Sequence, residues 1–417
     1  MKNPRYAPEF DVSIDGAPIP AALRSSITAL SHQSGLEGAD RVELSLANEN
    51  LRWLDEPLLA LDKSLELSMG YAPDPLTQVF SGMITGQSAT FPSGSAPALT
   101  VTAQDRLHAL QKGDATRWFA LPTPIGNVPL PDVAVGAVVT ATHLLVPIFE
   151  PVGAALSILL GGASAAASLG DPIAMQKLIR KQAGESDFDL LHRLAQENGW
   201  EMTIDHATPP RGYTVRFMSP LDKLSSDLTL IYGLDLIDFT PRVSSVGQVA
   251  GVSATIWVPE ILMEFTVTLG YDWDRNALTL SVLPGFGLSS LVEGAVEAVA
   301  TAAGITAASL NLIEEPVTLV SAPRLILSRL IPMLNERLTG SGSSVGDPRI
   351  QGGTVLRLEG VGETFGGLYR VVSATHALDS GGYRTSFELR KEIWFGSIPP
   401  ADQGAVAIQG RSVPIGA

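Results

Sequence analysis

The sequence of 417 residues is long enough to form two or three domains with cores of their own. Its formal net charge of −15 repels phosphate groups, which argues against stable binding to nucleic acid or to an anionic membrane. The chain has no cysteine, which excludes disulfides and thiolate metal sites. The N-terminus has no apolar run after its basic residues, so we expect no cleaved signal peptide and folding in a cytoplasm.

Residues 10 to 110 show the alternation of apolar and polar side chains that is typical of β-strands. No helical pattern long enough for a crossover connection separates these segments, so we expect an antiparallel barrel or sandwich rather than a parallel sheet. The alternating apolar residues of three such segments are Val42, Leu44, Leu46, Leu65, Leu67, Met69, Tyr71, Leu99, Val101 and Ala103.

An apolar stretch begins near residue 121. Between residues 133 and 170 only His143 and Glu150 are ionisable. The stretch has the length of a membrane span, about 20 residues, but it is rich in alanine, glycine and serine and is interrupted by two prolines. We interpret residues 121–170 as an insertion that is buried or faces another subunit, with a membrane-active segment as the alternative.

Helices followed by a strand are predicted over residues 172–205, and β patterns return over residues 213–282. There, "MEFTVTLGYDWDRNALTLSV" has two alternating arms around polar residues, which predicts a β-hairpin. A second apolar stretch, residues 284–320, has a helical spacing that places Glu293 and Glu297 on one face.

Beyond the second apolar stretch, a helix is predicted over residues 323–338, with a kink at Pro332. Strand patterns then resume from residue 354 to residue 395. Residues 398–417 are rich in proline, glycine and alanine, which predicts an extended C-terminal arm that becomes ordered on a partner.

A G-x-S-x-G motif covers residues 342–346, and Asp347 and His376 follow it in the chain order of an α/β-hydrolase. The nucleophile elbow requires a strand before the serine and a helix after it. Here a helical stretch precedes Ser344, and Asp347-Pro348 favours a turn. We therefore predict a flexible loop and no catalytic residue, with a hydrolase using Ser344 and His376 as the alternative function.

The sequence also offers weak metal and nucleotide motifs. Asp272, Asp274 and Asn276 resemble the start of a calcium loop, but the glycine and glutamate that an EF-hand needs are replaced by Ala277 and Leu283. A hairpin turn is favoured instead. "GVGETFGG" lacks the spacing of a dinucleotide site, and its glycines are expected to permit a tight turn.

The six histidines show no pairing at four-residue spacing and no H-E-x-x-H motif, so we predict no metal site and no cofactor. They are His32, His108, His143, His192, His206 and His376.

The segment "GESDFDLLHRLAQENGWEMTID" gathers several charged residues, and helix capping accounts for them. Ser186 is placed to cap a helix with Asp189 as its capping-box partner, and Asp187 lies where the helix dipole favours negative charge. Asn198-Gly199 supplies the end of the helix, and an alternating strand follows. His192 could pair with Asp189 on the surface, but no third group nearby completes a catalytic set.

The same segment resembles one found in phage late-control D proteins, the baseplate hub family of contractile tails, which is similar to the hub part of type VI secretion spike proteins. The other segments that carry the resemblance span most of the chain in the family's order. They are "YAPEFDVSIDG", "VFSGMITG", "LTLIYGLDLIDFTPRVSSVGQV" and "IQGGTVLRLEGVGETFGGLYRVVSATHALDSGGYRTSFELRKE".

The resemblance implies a mainly β fold with α/β insertions: two tube-like antiparallel β-barrel domains and a peripheral α/β domain. It places the first tube-like domain at residues 1–117 and the apolar insertion with the peripheral domain at 118–228. The second tube-like domain, at 229–397, carries the apolar helical insertion near 284–320, and the arm at 398–417 follows.

The resemblance further implies a homotrimer that adapts the sixfold tail tube to a threefold central spike in a virion tail baseplate or a contractile injection particle. The implied partners are the tail tube protein, baseplate wedge proteins, the tape-measure protein and a spike. We expect the spike to be a separate protein because no OB-fold and needle follow. Three chains carry three times −15, or −45, so an acidic lumen would repel DNA that passes through it. A tail-associated hydrolase and a membrane-active injection component are the alternatives.

Overall fold

Most of the described residues lie in strands and fewer in helices, which confirms the prediction of a mainly β fold with α/β parts. The structure is a computed structural model. It describes residues 7–94, 96–124, 126–167, 172–243, 251–258, 263–272, 277–285, 310–317, 335, 338–392, 405–408 and 411–414.

The first β block is built from strands whose apolar residues alternate as predicted, with every second side chain buried. Its core extends from Val12 to Ala103 and is rich in leucine, isoleucine and valine. The elements are β1 (Pro8–Ile14), β2 (Ala17–Pro18), α1 (Ala21–Ser26), β3 (Ile27–Gly35), β4 (Arg41–Ala47), β5 (Ser64–Tyr71), β6 (Thr77–Thr90) and β7 (Ala98–Gln104).

The peripheral α/β part has a separate core between Leu107 and Phe217. Two small sheets, in the orders β11-β8-β9 and β10-β13-β12, pack with the helices. The elements are α2 (Leu107–Leu110), β8 (Ala115–Thr123), β9 (Gly126–Pro129), α3 (Asp132–Thr142), β10 (Val146–Phe149), α4 (Pro151–Ala167), α5 (Pro172–Lys177), β11 (Arg180–Glu185), α6 (Asp187–Asn198), β12 (Glu201–Asp205) and β13 (Thr214–Met218).

The second β block has its core between Leu228 and Leu389. A four-stranded sheet lies within the connection between two of its strands, β15 and β20. The elements are β14 (Leu228–Ile231), β15 (Leu236–Val243), β16 (Gly251–Val258), β17 (Met263–Asp272), β18 (Ala277–Gly285), β19 (Leu310–Val317), β20 (Leu338–Val345), β21 (Val355–Glu359), α7 (Gly362–Phe365), β22 (Gly367–Asp379), β23 (Gly382–Arg390), β24 (Ala405–Ile408) and β25 (Arg411–Pro414).

One continuous sheet joins the two β blocks. Its order is β15-β20-β23-β22-β3-β4-β7-β6-β5-β1-β2, with β21 beside β22 and β14 beside β21. The link is the antiparallel pair of β22 and β3. The described sheets are not closed, which corrects the barrel-like part of the prediction. Each block uses an edge to pair with the other block instead of closing on itself.

The two blocks repeat the same strand order. Strands β3, β4, β7, β6 and β5 of the first block correspond to β15, β20, β23, β22 and β21 of the second. The registers shift at matching places, between Ile27 and Ala29 in β3 as between Leu236 and Asp238 in β15. The blocks differ at their ends, because β1 pairs with β5 antiparallel whereas β14 pairs with β21 parallel. The repeat therefore includes the position of this register shift as well as the order of the strands.

The described residues of the apolar insertion at 121–170 are partly buried in the peripheral core. Val135 and Val139 of α3 are buried in that core, and Gly153 in α4 lies against the ring of Trp200. Val152 and Ile158 of α4 remain exposed. Among the described helices, none has both the length and the apolar character of a membrane span.

Several predictions fall in the second block. The hairpin at 263–282 is confirmed as β17 and β18, although its turn residues lie outside the described part. The predicted loop at 342–346 is wrong, since these residues belong largely to β20, paired on both sides. The helix at 323–338 lies outside the described residues except at Asn335 and Leu338, where β20 begins, and Glu293 and Glu297 lie outside them too. The described residues of the arm form the paired strands β24 and β25.

Candidate functional site

A polar cleft of about 370 Å³ lies where the two β blocks and the peripheral part meet. β3 contributes Ser34, the end of β12 contributes Asp205 and His206, and the loop before β21 contributes Gln351. We call this region, together with the buried groups behind it, the junction. It is the place where residues distant in sequence come into contact.

His206 fastens the peripheral part to the first β block. The Ser81 N–H donates to His206 Nδ1 at 3.1 Å, so Nε2 carries the proton and donates to Asp40 Oδ2 at 3.0 Å. The other Asp40 oxygen accepts from the Gly35 N–H at 3.1 Å. Asp105 Oδ2 accepts from the Asp40 N–H at 2.9 Å. These hydrogen bonds connect the loops that contain Asp40, Asp105 and His206.

Burial and neighbouring charges shift the pKa values of Asp105 and His206. Burial, together with the nearby Asp40 carboxylate, raises the pKa of Asp105 to about 7. Burial lowers the pKa of His206, but the contact with Asp40 outweighs it and raises that pKa overall. Burial and the neighbouring carboxylate thus favour the neutral form of the Asp105 carboxyl.

Asp40, Asp105 and His206 form the one group of potential metal ligands found among the described residues. Each carboxylate oxygen already accepts a hydrogen bond, three from backbone N–H groups and one from His206. All four carboxylate oxygens thus take part in hydrogen bonds that connect neighbouring loops. The expectation of no metal remains a prediction.

His32 and His376 face each other across the pair of strands that joins the two blocks. Their rings stack with centroids 5.5 Å apart, and both side chains are fully buried. His376 Nε2 donates to the Ile350 carbonyl at 2.8 Å, and Nδ1 accepts from Tyr383 and Thr385 hydroxyls. Burial lowers the pKa of His376 to about 4 and that of His32 well below its ordinary value. Both rings are neutral at pH 7.

Arg370 fastens the second block to the loop after β13. Its guanidinium is fully buried and forms two bonds with Glu392, at 2.6 and 3.0 Å. It also donates to the carbonyls of Gly353, Pro220 and Lys223. A second arginine, Arg390, links Glu392 to Glu201 at the start of β12. The network ties the second block to the peripheral part and to the loop after β13.

The structure does not assemble the hydrolase alternative. Ser344 on β20 and His376 on β22 lie two strands apart, because Thr385 of β23 stands between them in register. Both side chains are fully buried, and both His376 nitrogens bond to other groups. The nucleophile elbow is also absent, since Ser344 lies within a strand.

We expect Ser344→Ala to leave the protein unchanged in stability or about 1 kcal/mol more stable, because its buried hydroxyl has no hydrogen-bond partner among the described residues. Ser343→Ala is the control: that hydroxyl donates to Asp238, so about 1 kcal/mol should be lost. Urea unfolding of both variants measures this. A loss of ester or peptidoglycan hydrolysis in Ser344→Ala would instead support the hydrolase.

Helix α6 confirms the capping interpretation. Ser186 accepts from the Asp189 N–H, and Gly199 ends the helix in the left-handed region at φ 65°. Asp187 has a further role that local sequence did not reveal: it accepts from Arg117, Gln182 and His143, and these contacts hold its pKa low despite its burial. His192 contacts Gln196 and stacks on Phe188 rather than pairing with Asp189.

No protein-family model and no curated protein matches the sequence. Solved structures do match the fold. The 43 kDa tail protein of prophage MuSo2 from Shewanella oneidensis has a TM-score of 0.57 at 12% identity, over 92% of this chain and 98% of that one. The fold is that of a phage tail protein.

Two further structures share this tail-protein fold. A tail protein from Neisseria meningitidis MC58 has a TM-score of 0.57 at 10% identity, over 93% of this chain and 97% of that one. A type VI secretion component of E. coli, described as structurally similar to T4 bacteriophage tail proteins, has a TM-score of 0.51 at 12% identity, over 91% of this chain and 76% of that one. The likeness extends over both β blocks and the peripheral part.

Proposed function

We propose that the protein is a structural baseplate hub of a contractile phage tail or a related injection particle. The observation that carries the proposal is the tail-protein fold, which matches the Shewanella prophage protein over nearly the whole of both chains. The junction supports a structural role, since the buried side chains of His206 and Arg370 form hydrogen bonds between different parts of the chain. In this proposal no reaction is catalysed.

The repeated β blocks support a trimer. Three copies with two blocks each would present six similar blocks to a sixfold tail tube, and the peripheral parts would keep threefold symmetry toward a spike. The proposed partners are the tail tube protein, a separate spike protein, baseplate wedge proteins and the tape-measure protein. The acidic charge fits a lumen through which DNA passes without binding.

We expect the full-length protein to form a particle of three 44.0-kDa chains, about 132 kDa, by light scattering. The trimer should also bind purified tail tube rings in a sedimentation assay. A stable monomer or dimer across micromolar concentrations would contradict the trimer. A trimer that binds neither tube nor spike protein would contradict the hub.

A further inference from the structure

We propose that Asp40, Asp105 and His206 form a pH switch at the contact between the peripheral part and the first β block. The switch holds the loop after β12, residues 206–213, against the block while the two carboxyl groups carry one proton between them. It releases this loop when the proton is lost. We call the three side chains the carboxylate cluster. The inference concerns movement within one chain and does not rest on the proposed hub.

The loop at 206–213 reaches the first block through polar contacts. His206 accepts a hydrogen bond from the Ser81 N–H of β6 at 3.1 Å, and the Ser81 hydroxyl donates to the Arg211 carbonyl at 3.3 Å. Arg106, which follows β7, stacks on the Tyr213 ring and donates to the Tyr213 hydroxyl at 2.7 Å. None of these bonds belongs to a strand pair, so the loop can leave the block while the sheets stay intact.

The carboxylate cluster is buried and holds more negative than positive charge. One oxygen of each carboxyl group and one His206 nitrogen lie within 4.8 Å of one another. In the part of the chain that the structure describes, no lysine or arginine forms an ion pair with Asp40 or Asp105, and His206 is the one partner of that kind. Two ionised carboxylates therefore leave a net negative charge even when His206 is protonated. Burial and like charge both favour a proton on one of two neighbouring carboxyl groups.

Asp105 is the group that holds this proton. Its side chain is fully buried, and burial together with the Asp40 carboxylate raises its pKa to about 7, although His206 acts in the opposite direction. Asp40 differs, because it lines the cleft and accepts the N–H of His206. The other charged or titratable groups next to the cluster are Asp205 at the end of β12, His32 of β3, His108 of α2 and Arg106, which contacts Tyr213.

Loss of the Asp105 proton favours the released loop. Release exposes the carboxyl group to water, where it ionises near about pH 4. Between about pH 4 and about pH 7 the held form therefore binds one proton more than the released form. The equilibrium constant for release should rise by about tenfold per pH unit across this range and level off above it. His206 acts in the same direction, because its pKa is also raised in the held form.

Hydrogen exchange measured by mass spectrometry on the full-length protein tests the switch. Asp105→Asn replaces the carboxyl group by an amide of similar shape, which forms hydrogen bonds but does not ionise. Wild type and variant are compared at the same pH, so the intrinsic exchange rate and the contribution of His206 cancel. The ratio of wild-type to variant exchange at residues 206–213 should rise by about 25-fold between about pH 5.5 and about pH 7.5.

Two further variants keep the test independent of one substitution. Asp40→Asn retains an oxygen for the His206 N–H but removes the neighbouring charge, so the pH effect on exchange at residues 206–213 should shrink by about threefold or more. Asp15→Asn is the matched control. The hydrogen bond from Lys63 holds the pKa of Asp15 low, so this residue stays ionised throughout and its variant should behave like the wild type.

The outcomes either support the switch or overturn it. A ratio that stays constant or falls between the two pH values would overturn it. Residues 41–47 of β4 serve as the reference within the first block, and an equal pH effect there would also overturn the switch, because the whole chain would be unfolding. Exchange at residues 206–213 does not report the number of chains in the particle. A failed switch therefore leaves the hub intact, and a failed trimer leaves the switch intact.

Discussion

Replacing Arg370 with methionine should lower the free energy of unfolding by about 3 to 5 kcal/mol. The substitution keeps a long side chain but leaves the fully buried Glu392 with Arg390 as its one charged partner among the described residues. It also removes donors from three carbonyls, including those of Pro220 and Lys223 in the loop after β13. Urea unfolding at one fixed protein concentration measures the change, since association adds to apparent stability.

A surface arginine provides the control for Arg370. Arg41 pairs with Glu43 and both side chains are exposed, so Arg41→Met should cost about 1 kcal/mol or less. The double variant Arg370→Met with Glu392→Leu should recover part of the loss, because it removes the uncompensated charge as well. A loss below about 1 kcal/mol in Arg370→Met would show that the network does not hold the junction.

Local signals in the sequence predicted local structure well. The cap at Ser186 and the end of α6 at Gly199 follow from contacts within a few residues, so the sequence contains the whole explanation. The alternation in β4, β5 and β7 likewise depends only on which face is buried. The order of the strands and the β3 to β22 pair depend on contacts between residues more than 300 positions apart, which no local pattern encodes.

The error at residues 342–346 has a specific cause. Glycine and serine are typical of loops, but here the glycines make room inside a sheet. A Cβ atom at Gly346 would lie 2.2 Å from the ring of Tyr383, and one at Gly342 would lie 2.7 Å from the Asp238 carbonyl. The junction was missed because His206 and Asp40 are separated by 166 positions and neither belongs to a motif.

The contribution of His376 to the stability of the protein should decrease as the pH is lowered from about 6.5 to about 4. In the folded protein His376 stays neutral until its pKa of about 4, whereas in the unfolded chain it takes up a proton near pH 6.5. Between these two pH values, His376 binds a proton in the unfolded chain but not in the folded protein. The contribution of His376 to the free energy of unfolding is therefore fully present above pH 6.5 and decreases by about 1.4 kcal/mol per pH unit below it.

Other groups at the junction act in the opposite direction, so the test is a difference between variants. Asp105 and His206 have raised pKa values, hold protons in the folded state and favour it as the pH falls. His376→Gln retains a donor for the Ile350 carbonyl but cannot titrate, and those two groups remain unchanged. The stability difference between wild type and His376→Gln should shrink by about 3 kcal/mol between pH 6.5 and pH 4 in urea unfolding.

Thr385→Val is the matched control, because it removes a hydrogen bond to His376 Nδ1 and keeps the titrating ring. Its stability should be lower at every pH, with a curve parallel to that of the wild type. A His376→Gln curve that also runs parallel would mean that the ring takes up a proton without disturbing the contact between the blocks. In that case protonation of His376 would not weaken the contact between the two β blocks. Any loss of stability at low pH would then come from other residues.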